Sequence, residues 1–357
     1  TTASYNTAVG SCALYSNTTG DQNAASGYRA LRATTTGGSN TAHGTYAMDS
    51  NTTGCLNTAV GTTALGGNTT GCHNTASGRY SLRCNTTASY NTAVGSCTLF
   101  ANTTGANNVG VGYQALKANT CGNYNVGVGV NALNANTTGI CNTALGSYSL
   151  YANTTGQQNI AVGFGALQKN TIGEKNTATG YLASCANTTG CFNTAHGFFA
   201  LNKNTTASFN AAYGSHSLYC NTTGRFNTAS GYAALELNTT GSCNTAHGSQ
   251  SLYSNTTASY NTAFGACTLY ANTTGANNVG VGYSTLKANT CGNYNVGVGV
   301  NALNANTTGC YNTAVGHRAL LTASTGSWNT ASGFYSLYAN TTASSNTAYG
   351  AYTLKTT

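Results

Sequence analysis

The chain has 357 residues, of which only sixteen are charged, and its formal net charge is +8. A chain with so little charge and 40% hydrophobic residues is unlike a disordered protein. The basic residues are dispersed, although four arginines lie in the first third of the chain, so we expect no nucleic-acid partner. No apolar run is long enough to cross a bilayer, so we expect no membrane span. Those four arginines are Arg29, Arg32, Arg79 and Arg83.

The sequence repeats every seventeen residues. The phrase Asn-Thr-Ala-Val-Gly begins at Asn6 and returns at Asn57, Asn91 and Asn312, and an asparagine recurs at this position through Asn346. A short fixed period is typical of a solenoid, in which equivalent residues of successive coils stack on one another. We therefore expect an all-β fold, a parallel β-solenoid (β-roll) of 21 tandem 17-residue coils. Residues 1–357 are expected to form one continuous solenoid, uncapped at both ends.

The recurring asparagine is column 1 of each coil, and coil 1 begins at Asn6. Columns 2–4 predict a strand that lies between two turn positions. Asparagine at column 1 can bridge a turn and stack into a hydrogen-bonded ladder, and the invariant glycine at column 5 suits a positive φ or a close backbone approach. In three representative coils the predicted turn residues are Asn6, Gly10, Asn57, Gly61, Asn91 and Gly95.

Columns 7–10 predict a second strand and supply the main core residue. Column 9 is leucine in nineteen coils, and columns 3 and 8 accept only small residues, which leaves room for that leucine. A third, short extended piece is expected at columns 13–14. Column 14 accepts threonine, cysteine or isoleucine, so we expect it in the core, with Cys121 and Cys291 buried and inert. The predicted leucine ladder includes Leu14, Leu31, Leu65, Leu82, Leu99 and Leu116.

Columns 4, 6, 7, 10, 16 and 17 vary, and we expect them to face outward. Residues 86–139 match residues 256–309, ten coils later, with only five differences. Four of the differences fall in these variable columns, and the fifth pairs Ala115 with Thr285 in column 8. Columns 2 and 4 share one face of the predicted strand, and this face is the expected contact between protomers.

Two patterns allow alternative interpretations. The Asn-Thr-Thr triplet that starts at column 12 fits an N-glycosylation acceptor, but it equally fits a turn and core segment of each coil. Cys55 and Cys72 occupy column 16 of consecutive coils, close enough for a disulfide, although free thiols that act as small hydrophobes are equally consistent. The candidate glycan acceptors include Asn17, Asn51, Asn68, Asn153 and Asn340.

The chain offers little for catalysis. Asp21, Asp49, Glu174 and Glu236 are its only carboxylates, and no two lie in adjacent coils, which excludes a glycosidase pair and a Ser-His-Asp triad. The histidines and cysteines do not reach a four-ligand zinc pattern, and the Gly-x-Gly phrases precede no helix. We expect no enzyme, no metal and no cofactor.

The phrase Asn-Thr-Ala-Val-Gly, followed by x-x-Ala-Leu-x-x-Asn-Thr-Thr-Gly, resembles the head repeats of YadA-like trimeric autotransporter adhesins. It resembles still more closely the longer variants found in phage and bacterial tail-fibre proteins. The resemblance covers the whole chain. It implies a left-handed parallel β-roll, three chains around one axis, and an adhesive or structural role outside the cell.

These observations predict a non-catalytic structural or adhesive component of an extracellular fibre or filament, at a cell or virion surface. Its expected partner is itself, as a trimer or a polymer assembled laterally or end to end, with a cell-surface or glycan receptor as a further candidate. The alternative is an ice-binding or glycan-coated surface solenoid. Ice binding would use threonine arrays in columns 2 and 13.

Overall fold

The computed structural model describes residues 2–355, which form two compact units. The first unit ends at Asn176 and the second begins at Thr177. Residues 2–355 contain no helix, and each coil has one strand of three residues. The strands of the first unit are β1 (Thr7–Val9), β2 (Ala24–Ser26), β3 (Thr41–His43), β4 (Thr58–Val60), β5 (Thr75–Ser77), β6 (Thr92–Val94), β7 (Val109–Val111), β8 (Val126–Val128), β9 (Thr143–Leu145) and β10 (Ile160–Val162). Those of the second are β11 (Thr177–Thr179), β12 (Thr194–His196), β13 (Ala211–Tyr213), β14 (Thr228–Ser230), β15 (Thr245–His247), β16 (Thr262–Phe264), β17 (Val279–Val281), β18 (Val296–Val298), β19 (Thr313–Val315), β20 (Thr330–Ser332) and β21 (Thr347–Tyr349).

Within each unit, every strand pairs in parallel with the strand one coil away. In the first unit Ala8 pairs with Ala25, and in the second Ala195 pairs with Ala212, both at the seventeen-residue register. The prediction of an all-β parallel solenoid with 17-residue coils is confirmed. Continuity over residues 1–357 stays a prediction, as does left-handed winding, and Thr1, Thr356 and Thr357 lie outside the described residues.

The predicted strand at columns 7–10 is wrong, because these columns form a turn, and the short extended piece expected at columns 13–14 is a bend. Residues in columns 7, 9 and 17 adopt left-handed backbone conformations, for example Arg29 (φ 58°), Leu31 (φ 52°) and Ser39 (φ 57°). Each such residue redirects the chain, so a coil needs only one short strand. Hydrogen bonds between coils continue through the turns; the Leu31 N–H, for example, donates to the Ala47 carbonyl at 3.0 Å.

The leucine ladder fills the interior as expected. Leu31, Leu65, Leu82, Leu99 and Leu116 are fully buried, and the alanines of columns 3 and 8 pack beside them. Leu14 is half-buried, because only one neighbouring coil covers it. Burying a leucine side chain contributes roughly 1.5–3 kcal/mol, so this one column supplies much of the apolar stabilisation.

The column 5 glycines are required by the backbone. Gly10 and Gly61 have φ 126° and Gly95 has φ 129°, a region that side chains disfavour. A Cβ added to Gly61 would lie 2.8 Å from the carbonyl oxygen of Gly78 in the next coil. Close stacking of backbone on backbone therefore explains why this column never varies.

Column 14 contradicts the expected placement. The asparagines of column 12 are buried, whereas column 14 is exposed in coil after coil, as at Thr53 and Thr138. Cys121 and Cys291 are therefore exposed rather than buried. The threonine of column 13 explains the reversal, because its hydroxyl donates along the axis, as from Thr52 to the Thr69 carbonyl at 3.0 Å. The following side chain then points away from the interior.

Both asparagine columns form continuous ladders through most of each unit. In column 12 the Asn136 amide donates to Asn119 Oδ1 at 2.9 Å and to the Gly139 carbonyl at 3.0 Å. In column 1 the Asn57 amide donates to Asn40 Oδ1 at 3.2 Å and to the Gly71 carbonyl at 2.8 Å. Buried amides are stable here because the repeat supplies each one with partners in its own coil and the neighbouring coil.

Candidate interaction surfaces

The strand face presents two columns of outward side chains. Columns 2 and 4 contain no lysine, arginine, aspartate or glutamate in any of the 21 coils. Four consecutive coils of the second unit carry Phe264, Val281, Val298 and Val315, each between 36% and 43% exposed. A single exposed valine is unremarkable, but a contiguous row of apolar residues is typical of an interaction surface.

A second exposed surface is the aromatic part of column 17. Phe192, Phe209 and Phe226 stack with ring centroids 5.0 Å apart and ring planes within 7° of parallel. Tyr311 stacks between Tyr294 at 5.0 Å and Trp328 at 4.2 Å. The rings follow the coil spacing, which presents their edges to solvent. Aromatic residues of this kind are enriched at protein interfaces.

The arginines of the first third gather on columns 6, 7 and 10. Arg29 and Arg32 both bind Asp49, at 3.2 and 2.9 Å. The hydrogen bond and negative charge of Asp49 raise the pKa of Arg32. The seventeen-residue winding brings Asp49 of coil 3 beside these two arginines of coil 2.

Farther along the same columns, Arg83 lies 5.2 Å from the ring centroid of Tyr80 and 5.5 Å from that of Phe100. Arg79 donates to the Tyr80 hydroxyl at 3.2 Å, and this hydrogen bond lowers the pKa of Tyr80. Cation–π contacts of this kind contribute about 0.5–1 kcal/mol at exposed sites. They also hold the guanidinium groups on the surface in defined positions.

The candidate glycan acceptors lie mostly in the interior, where a glycan would have to displace buried groups. Asn51, Asn68 and Asn153 are fully buried, Asn340 is 1% exposed, and Asn17 is half-buried. The Asn68 amide nitrogen donates to Asn51 Oδ1 at 2.8 Å and to the Gly71 carbonyl at 2.9 Å. A glycan would replace one of the two hydrogens on this nitrogen, so at least one of these hydrogen bonds would be lost, and the sugar would have no room in the interior. The structure therefore favours the alternative in which the triplet is a structural segment.

The two threonine columns predicted to bind ice differ in how well their hydroxyls could face water. Column 13 hydroxyls donate to the next coil's backbone, as Thr103 does to the Thr120 carbonyl at 3.1 Å. Column 2 lies on the strand face, where Val109, Val126 and Ile160 interrupt its threonines. Ice binding stays a prediction, and column 13 supports it less well because its hydroxyls already donate to backbone carbonyls.

Cys55 and Cys72 are brought together as predicted, with their sulfur atoms 2.8 Å apart and both thiols free. The hydrogen bond with Cys72 raises the pKa of the Cys55 thiol. Because thiol–disulfide chemistry proceeds through the thiolate, oxidation should be faster above pH 9 than at pH 7.

We expect the oxidant diamide, which accepts the two thiol hydrogens, to join Cys55 to Cys72. Tryptic peptide 33–79 contains these two cysteines and no others, so the bond should lower its mass by about 2 Da. Peptide 288–318 is the matched control, because its Cys291 and Cys310 lie in columns 14 and 16. Loss of 2 Da from the control peptide, with peptide 33–79 unchanged, would contradict the stacking of column 16.

Within residues 2–355, no three histidine, cysteine, aspartate or glutamate side chains come together as a set that could hold a metal ion. The same residues include no helix of the length and hydrophobicity needed to cross a membrane. The absence of catalytic activity stays a prediction.

No protein-family model matches this chain. No curated protein matches it either. The likeness to YadA-like heads and tail-fibre repeats therefore rests on the repeat itself, and membership of that family stays a prediction.

Proposed function

We propose that the chain is a structural or adhesive component of an extracellular fibre or filament, and that it assembles with copies of itself through the strand face. The supporting observation is the uncharged row of columns 2 and 4, which repeats once per coil at a spacing of about 4.8 Å. A partner can match that spacing over many coils only if it has the same rise. A second copy of the chain has the same coils and therefore the same rise.

The composition of the face supports the same partner. Threonine, valine and isoleucine in columns 2 and 4 are β-branched residues with few rotamers, so little side-chain entropy is lost when two such faces meet. No lysine, arginine, aspartate or glutamate has to be desolvated there. The stacked aromatics of column 17 provide further exposed apolar area for a receptor or a third chain.

The test is sedimentation velocity of the full chain across a range of concentrations, with electron microscopy of the same samples. We expect wild type to form oligomers or filaments, and Val281→Lys/Val298→Lys to shift it toward the monomer, because each lysine must be desolvated at the contact. Thr274→Lys/Thr308→Lys is the matched control, with the same charge added on exposed column 14. A wild type that stays monomeric, or a control that dissociates equally, would refute the strand-face assembly.

A further inference from the structure

The outer surface of the first unit has a notch in coil 4. Gly66 and Gly67 occupy columns 10 and 11, and no other coil has glycine at both positions. Neighbouring coils carry long side chains in column 10, including Asp49 and Arg83. The missing side chains leave a notch of about 740 Å³, within the size range of small-molecule binding sites.

The walls of the notch combine aromatic and charged groups. Tyr46 and Asp49 line it from coil 3, and Arg83 and Phe100 line it from coils 5 and 6. Thr63 also lines the notch, beside the buried Gly66 and the half-buried Gly67. Apolar rings with a few polar groups at defined positions are the usual composition of a site for a small organic ligand.

The charge in this notch favours an anion. Asp49 is already bound by two arginines, Arg29 and Arg32, so its negative charge is compensated. Arg83 has no carboxylate partner among residues 2–355, and its guanidinium is positioned by the rings of Tyr80 and Phe100. A planar guanidinium that is held in place and lacks an acid binds a carboxylate with two parallel hydrogen bonds.

We propose that this notch binds an acidic oligosaccharide, with a sugar carboxylate on Arg83 and a sugar ring over Gly66 and Gly67 between Tyr46 and Phe100. Sugar hydroxyls match the polar backbone and the Thr63 hydroxyl, which a purely aromatic acid would leave without partners. The notch is open to solvent, so a residue inside a longer polysaccharide chain can enter it. The site lies outside the strand face, and its test is independent of self-assembly.

The test is isothermal titration calorimetry of the full chain with a galacturonic acid trimer. The carboxyl-reduced trimer and inorganic sulfate serve as comparison probes. We expect millimolar or tighter binding of the acidic trimer to wild type and at least tenfold weaker binding to Arg83→Met, because a hydrogen-bonded charge pair is lost. Arg225→Met, which removes an arginine that is not part of the first unit, should bind like wild type.

A second variant tests the cavity without removing charge. Gly66→Tyr fills the notch with the residue that column 10 carries in several other coils, and the nearby Thr63 methyl must rotate to admit it. We expect this variant to lose binding and to keep the wild-type circular dichroism spectrum. The proposal is overturned if the acidic trimer does not bind at about 10 mM. It is also overturned if Arg83→Met binds like wild type, or if sulfate or the reduced trimer binds as well as the acidic trimer.

Discussion

Replacing Asn136 with alanine is expected to lower the free energy of unfolding by about 2–3 kcal/mol. The Asn136 amide donates to Asn119 Oδ1 and to the Gly139 carbonyl, and its own oxygen accepts from Asn153 at 2.8 Å. Alanine leaves Asn119 Oδ1 buried without this donor and opens a small void. Urea unfolding followed by circular dichroism measures the change.

Two further substitutions sharpen this test. Thr138→Ala, two residues away on exposed column 14, should change stability by less than about 0.5 kcal/mol. The reverse experiment repairs a natural gap, because Ala323 interrupts column 12 and leaves Asn306 Oδ1 buried without a hydrogen bond. Ala323→Asn should raise stability by about 1–2 kcal/mol. Equal losses at Asn136 and Thr138, or no gain at Ala323, would contradict the buried asparagine ladder.

Threonine introduced at Ala132 is expected to destabilise the chain by about 1–3 kcal/mol, whereas threonine at Ala115 should be nearly neutral. Both positions are buried in column 8. Where column 8 is Thr98, the next coil has Gly110 in column 3, and a Cβ on that glycine would lie 2.5 Å from the threonine methyl.

The same pairing occurs wherever column 8 is threonine and a further coil follows. Thr268 faces Gly280, and Thr285 faces Gly297. Ala115 already faces a glycine, Gly127, which leaves space for the larger side chain. Ala132 faces Ala144, which does not.

The comparison is completed by a double-mutant cycle. Ala144→Gly should recover much of the stability lost in Ala132→Thr, with a coupling energy of about 1 kcal/mol or more, because it removes the clashing methyl. Urea midpoints for the four proteins give this energy. If Ala115→Thr and Ala132→Thr were equally harmful, or if the cycle showed no coupling, columns 3 and 8 would not be in contact between coils.

The period and the identity of the restricted columns were enough to predict much of the fold. A leucine that recurs at column 9 beside obligatory small residues has few placements other than a stacked core, and Leu31 and Leu65 lie there. The asparagine ladder followed from the same logic, because identical amides at one coil spacing can pair along the axis.

The turn geometry could not be read from residue types. Leucine and tyrosine have no preference for left-handed conformations, which cost about 1–2 kcal/mol per residue, yet Leu31 and Tyr46 both adopt them. Hydrogen bonds between coils impose these corners, so the cause lies in stacking rather than in local sequence. Because residue types did not indicate these left-handed turns, columns 7–10 were predicted to form a strand.

Sequence alone also misplaced column 14. A column that accepts cysteine and isoleucine beside threonine is typical of a core position, because cysteine and isoleucine are among the residues most often buried. Column 14 is exposed because the asparagine two residues earlier is held inside by hydrogen bonds, as Asn51 is by the Gly54 carbonyl, while Thr53 points outward. The notch was missed for a related reason: the Gly66-Gly67 pair is visible as a break in the repeat, but its neighbours across the coils are known only from the structure.

The most direct test is a crystal structure of the full chain at side-chain resolution. The stacked-column structure predicts one strand per coil at columns 2–4, parallel pairing at a seventeen-residue register, and continuous density between the side chains of Asn119, Asn136 and Asn153. Density that placed Thr138 inside and Asn136 in solvent, or a register other than seventeen residues, would contradict it.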